Sequence, residues 1–213
     1  MRMSNAEIDL FTEELSSARN YLEYGAGGST KRAARLSTLS SVTTVESDPS
    51  FVEKQLMNDV DVQLAIEAGR LRFLIVDIGP IENWGYPRDT FKIHLWPNYA
   101  LCPYLYGYNP DLILVDGRFR VACSLVAALQ APEATVLVHD YKDRRHYHII
   151  ERFFVIDKVA DTLARCRRIQ SFDEQSARAL LRSYLYAPGD EGQTEWAKGL
   201  RFLSKVKNRL MKR

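Results

Sequence analysis

Short apolar runs rich in β-branched and aromatic residues recur along the chain, separated by longer stretches with apolar residues at helical spacing. The runs 21–24, 41–46, 71–76, 111–115 and 135–139 each have the length of a buried strand. The stretches 30–39, 50–69 and 118–130 read as helices. Such alternation predicts an α/β fold of βαβ units, with a parallel sheet and helices on both faces. Two further runs, 153–157 and 162–167, are separated by a turn-sized gap and predict an antiparallel hairpin at the sheet edge. An N-terminal helix over 5–19 and C-terminal helices over 173–186 and 195–212 lie outside this alternation, the last two flanking Pro188-Gly189-Asp190.

The 50–69 helix carries end signals: Pro49 and Ser50 at its start, Glu53 as a capping-box partner of Ser50, and Gly69 as C-cap. Residues 77–110, by contrast, show little periodicity and are rich in aromatics, Pro and Gly. A segment of this kind is either a functional lid or a loop packed on its own aromatics.

Composition narrows the class. Hydrophobic residues are 46% and charged residues 26% of 213, which excludes a disordered chain and a coiled coil. The net charge of +2 makes no overall case for a nucleic-acid partner. No apolar run approaches the roughly 18 residues of a membrane helix. The acidic N-terminal stretch has no apolar signal core, so a cytoplasmic location is expected. Cys102, Cys123 and Cys166 form no CxxC and are expected to be buried free thiols. Residues 195–213 carry seven basic side chains beside an apolar stripe, expected as a packed helix with a solvated basic face.

The strongest local signal is Glu23-Tyr24-Gly25-Ala26-Gly27-Gly28-Ser29-Thr30, which follows a strand and opens a helix. Glycines there permit a tight turn and close backbone approach to a ligand, and the helix start exposes unpaired N–H groups. Glu46 ends the next strand, 21 residues after Gly25, where a carboxylate suits ribose hydroxyls. Thr30 breaks the dinucleotide fingerprint G-x-G-x-x-G/A, which disfavours a nicotinamide-linked oxidoreductase, and no G-K-[ST] follows to make a P-loop. Ligands of open parallel sheets bind beyond the carboxyl ends of the strands. Asp116-Gly117-Arg118 and His139-Asp140-Tyr141 therefore belong to the same rim as the glycine loop.

The E-x-G-x-G loop, Glu46, and the DLILVDGR and VLVHDY strands resemble class I S-adenosylmethionine-dependent methyltransferases over roughly residues 19–167. The resemblance implies a Rossmann-like methyltransferase fold with a mostly parallel seven-stranded sheet, an antiparallel edge hairpin and helices on both faces. With the terminal helices read from the pattern, two parts are expected: residues 1–170 as the methyltransferase domain with its N-terminal helix, and 171–213 as a helical extension packed on that domain. The resemblance also implies that Glu23, Gly25, Gly27 and Ser29 surround the methionine part of S-adenosylmethionine, that Glu46 binds the ribose, and that Asp77 lies near the adenine. Asp116, His139 and Asp140 are the catalytic candidates, aligning an acceptor and holding its proton. Asp116 alternatively caps the next helix. In metal-dependent O-methyltransferases, carboxylates after these two strands hold a divalent ion. Asp116 and Asp140 match and would admit magnesium, whereas Arg118 would compete with it, and no residue is assigned as a metal ligand.

No N-P-P-[YFW] or D-P-P-Y follows the fourth strand, which disfavours N-methylation of adenine or cytosine, and the resemblance to O-methyltransferases implies an oxygen of a small molecule as the target. The cations and histidines at 144–148 form either a receptor for an anionic substrate or a solvated helix start. Trp84-Gly85-Tyr86-Pro87 either walls the methyl donor or only packs within its loop. A binding or accessory protein that keeps the fold without turnover remains the alternative, and the oligomeric state is left open.

Overall fold

Apolar residues occupy both sides of the central strands, so each face of the sheet needs its own layer of helices. The computed structural model describes residues 3–190. Its strands are β1 (Asn20–Tyr24), β2 (Ser41–Glu46), β3 (Leu71–Ile75), β4 (Leu112–Val115), β5 (Thr135–Val138), β6 (Phe154–Ala160) and β7 (Leu163–Arg168). Leu22 and Tyr24 of β1 enter one core and Tyr21 the other; Ile113 and Val115 of β4 repeat the first side, Leu112 and Leu114 the second. The sheet order is β3-β2-β1-β4-β5-β7-β6. β1 to β5 pair in parallel, and β7 pairs antiparallel with both β5 and β6. The expected mostly parallel sheet with an antiparallel edge hairpin is therefore present.

The helices are α1 (Asn5–Ser17), α2 (Gly28–Arg35), α3 (Pro49–Gln55), α4 (Val60–Glu67), α5 (Pro97–Leu105), α6 (Arg120–Gln130) and α7 (Glu174–Tyr184). The first four bury residues in one core, and the last three in the other. Strand order reverses between β1 and β4, which opens a crevice at their carboxyl ends. No helix among the described residues is long and apolar enough to cross a membrane. Cys102, Cys123 and Cys166 are buried free thiols, as expected.

Three expectations need correction. The single helix over 50–69 is two helices, because the Asp59 carboxylate accepts from Asp61 N and Val62 N and starts α4 afresh. The first of them is capped by Asp48, which accepts from Phe51 N at 3.1 Å, with Pro49 at the first helical position, rather than by Ser50 and Glu53. Residues 77–110 are not irregular throughout: α5 forms within them, its pattern masked by Pro97 at its start and Pro103 inside. The 173–186 expectation is met by α7, whose Ala177, Leu181 and Tyr184 enter the core beside α6. The helix expected over 195–212, with its basic face, lies outside the described residues.

Candidate active site

The end of β1 turns into α2 through the glycine loop, and two contacts set its shape. Gly25 has φ +94°, and a Cβ there would lie 2.8 Å from both N and Cα of Gly117. Conversely, a Cβ on Gly117 would meet Gly25 N at 2.9 Å and the Tyr99 hydroxyl. The loops after β1 and β4 therefore touch backbone to backbone, which only glycine at both positions allows. Gly27 differs: its backbone is extended, and a Cβ there would have nothing within 4 Å.

Glu23 lies beneath this loop and is fully buried. Its carboxylate accepts from the hydroxyls of Thr44 (2.8 Å) and Tyr21 (3.0 Å) and from Thr30. The Thr30 oxygen in turn accepts from Gly27 N at 2.9 Å. Burial pushes Glu23 up to about 6, against hydrogen bonds from Thr30, Ser29, Thr44 and Tyr21. Glu23 thus ties the loop to the sheet from below. Ser29, on the first turn of α2, is also buried. Glu46, at the end of β2, accepts from Ala26 N of the loop at 3.0 Å and from Ser47 N at 2.6 Å. Asp77 stands apart from these residues, paired with Lys92 and accepting from Gly79 N at 2.9 Å.

Asp116, His139 and Asp140 come together beyond β4 and β5, with their ligand atoms within 4.8 Å of one another. His139 Nδ1 is 2.8 Å from Asp116 Oδ1, and its Nε2 is 3.5 Å from the buried Glu7 of α1. Burial disfavours the imidazolium, but the hydrogen bond and charge of Asp116, joined by Asp140, outweigh it and hold the His139 pKa above its ordinary value. Asp116 is the more open partner, with its side chain 31% exposed against 10% for His139.

The cation between the two aspartates is Arg120. Its guanidinium is 3.2 Å from Asp116 Oδ1 and 3.0 Å from Asp140 Oδ2, and it also donates to the carbonyls of Asp116, Gly117 and His139. Arg144 adds a second cation 3.0 Å from Asp140, so the 144–148 cluster begins with an ion pair. His148 of that cluster stacks on Tyr141. Asp140 has φ +58°, a left-handed conformation held by these contacts.

This donor set does not fit magnesium. One of the three groups is a nitrogen, and the carboxylates already carry two guanidinium partners, whereas magnesium asks for octahedral oxygen ligands. The competing arginine is Arg120, not the Arg118 expected from the sequence. Chelation with EDTA is accordingly expected to leave cofactor binding by the full chain unchanged in calorimetric titration. Loss of binding on chelation, restored by added magnesium, would contradict this.

Asp116 does not cap α6. That role belongs to Asp190, which accepts from Arg120 N and Val121 N at 2.8 Å each from the far end of the described chain. Burial pushes the Asp190 carboxyl up to about 7, opposed by those two backbone bonds and by the charge of Arg120. Asp116 instead pairs with His139 and Arg120.

Trp84-Gly85-Tyr86-Pro87 covers the rim. Trp84 and Gly85 have φ +66° and +72°, a turn that brings Gly85 against the Ser47 hydroxyl and the Arg118 side chain. The Tyr86 ring then lies over Arg118, with Cζ 4.2 Å from the ring centroid. Glu7, Arg120 and Tyr99 were not among the residues singled out from the sequence, and Asp190 was read only as part of a turn. Only Glu7 had a local signal: Ser4-x-x-Glu7 is a capping box, and both of its bonds are present.

No family model matches the chain, and no curated protein does. Solved structures do. A methyltransferase-like protein from Silicibacter pomeroyi is 32% identical, with a TM-score of 0.74 over 88% of this chain and 97% of that one. The N-methyltransferase NodS from Bradyrhizobium japonicum, solved with S-adenosyl-L-homocysteine, is 16% identical, with a TM-score of 0.45 over 79% of this chain and 90% of its own.

Proposed function

The chain belongs to the class I S-adenosylmethionine-dependent methyltransferase family, and on that premise we propose that it moves a methyl group from S-adenosylmethionine to an oxygen of a small molecule in the cytoplasm. The observation that carries the reading is the Asp116–His139 pair standing across the Gly25–Gly117 contact from the glycine loop. The open space at Gly27 and the nearby Glu46 carboxylate fit the cofactor. Gly25 and Gly27 would let the methionine part approach the loop backbone, with Ser29 and Glu23 shaping that loop, and Glu46 would take the ribose hydroxyls. We assign no contact to Asp77, whose carboxylate is taken by Lys92.

When bound, the cofactor supplies an electrophilic methyl group, so the protein's task is alignment and proton handling. Asp116 Oδ1 is engaged by His139 and Arg120, and its other oxygen is the group to receive a proton from the acceptor hydroxyl. His139 then stabilises the protonated pair at Nδ1, while Glu7 fixes the ring from the opposite nitrogen. Arg120 holds Asp116 and Asp140 in place.

The deciding test is calorimetric titration with S-adenosylmethionine and S-adenosylhomocysteine, followed by mass-spectrometric search for methylated products among hydroxylated small molecules. Glu46→Gln is expected to weaken S-adenosylhomocysteine on the order of tenfold, as for loss of a charged hydrogen-bond acceptor. Failure of the unmodified protein to bind either compound would refute the reading. Binding without any product would favour the non-catalytic alternative.

A further inference from the structure

Two arginines two residues apart at this rim have opposite surroundings. Arg120 is fully engaged by carboxylates and carbonyls. Arg118 is also buried, 8% exposed, yet its guanidinium has no ion pair and its buried Nε no hydrogen-bond partner among the described residues. One face lies under the Tyr86 ring, and its stem passes Gly85, opposite the Ser47 hydroxyl. Asp190, the acid whose charge it feels, already accepts from Arg120 N and Val121 N.

A buried charge without a counter-charge is costly, and a bound anion would offset that cost. Tyr86 covers one face of the guanidinium, and no hydrogen bond among the described residues takes up its Nε–H. The N–H edge of a guanidinium matches the two oxygens of a carboxylate or phosphate. Arg118 and Asp116 share the loop that follows β4, so an anion on that edge would hold its molecule at the rim that carries the proton-accepting carboxylate. We propose that Arg118 is a specificity-determining residue that binds a carboxylate or phosphate on the methyl acceptor, so that the substrates are anionic small molecules. This rests on the cofactor reading proposed above.

The test uses the full chain saturated with S-adenosylhomocysteine and titrated with benzoate, phenyl phosphate and the neutral benzyl alcohol. At least one anion is expected to bind on the order of tenfold more tightly than the alcohol. Arg118→Gln should remove that preference, and Arg118→Lys should restore only part of it, while both keep the unmodified circular dichroism spectrum. Equal binding of anions and alcohol by the unmodified protein would overturn the proposal without recourse to any variant. So would a variant that keeps the preference. S-adenosylhomocysteine carries a carboxylate of its own, so its affinity is compared with that of 5′-methylthioadenosine, which lacks one. If Arg118→Gln weakens the first and not the second, the counter-charge is the cofactor's and the acceptor assignment falls. If the unmodified protein does not bind S-adenosylhomocysteine, the cofactor reading fails instead, and the anion titrations without cofactor still test Arg118.

Discussion

Gly25→Ala is expected to damage the fold, whereas Gly27→Ala should leave it intact and lose the cofactor. At Gly25 the new methyl would sit 2.8 Å from two backbone atoms of Gly117 and 3.1 Å from a third in Asp116, so no side chain can rotate away to relieve it. Its φ of +94° adds conformational strain. Overpacking and strain of this kind each cost about 1–3 kcal/mol. For a domain of this size the melting temperature should fall by on the order of 10 °C. At Gly27 the backbone is extended and the space beside it is open, so the stability change should stay within about 1 kcal/mol, the cost of a poorer helix cap. The same methyl would occupy the place proposed for the ligand and weaken S-adenosylhomocysteine roughly tenfold to a hundredfold. Differential scanning calorimetry and isothermal titration on the two variants measure both effects. If Gly27→Ala binds as tightly as the unmodified protein, the open space beside the loop is not where the cofactor lies.

Asp116→Asn should reduce turnover on the order of a hundredfold to ten-thousandfold, the usual contribution of a positioned acid–base group, with little change in cofactor affinity. The reason is the coupling to His139. With Asp116 ionised, its hydrogen bond and charge overcome burial and raise the His139 pKa above 6.5. The stability that the charged histidine contributes is therefore fully present below pH 6.5 and is lost as pH rises through the folded value. Activity should run the opposite way, rising with pH as His139 becomes neutral and the Asp116–His139 pair can take up the proton of the acceptor hydroxyl. In Asp116→Asn the burial penalty stands with less opposition, so the His139 pKa should drop. Titration of the His139 ring proton by NMR, beside the pH profile of turnover, reads both. A pKa unchanged by the substitution would remove Asp116 as the partner of His139.

The strand layout was legible because it is written locally. Each buried parallel strand is a short apolar run bounded by turn residues, and the runs at 41–46 and 135–139 end within one residue of β2 and β5. The edge hairpin and the glycine loop were equally visible, since a turn-sized gap and a cluster of glycines are features of neighbouring residues. The break between α3 and α4 was missed because Asn58-Asp59 interrupts the helix through a side-chain cap, while the apolar spacing runs on across it.

The rim of the site was legible only as a set of candidates. The sequence determined that Asp116, Gly117, Arg118, His139 and Asp140 would share one edge of the sheet, because parallel strands bring all their carboxyl ends to the same side. Tertiary structure alone decided their partners. Asp190 takes the start of α6 from 70 residues away, and Asp116 pairs with His139 and Arg120 instead. Glu7 reaches His139 from α1, and Arg120 rather than Arg118 lies between the aspartates. Periodicity reports which face of its own element a side chain occupies. Which charge it meets depends on how separate elements pack, and at this rim that packing neutralised one arginine and left its neighbour two residues away without an ion pair among the described residues.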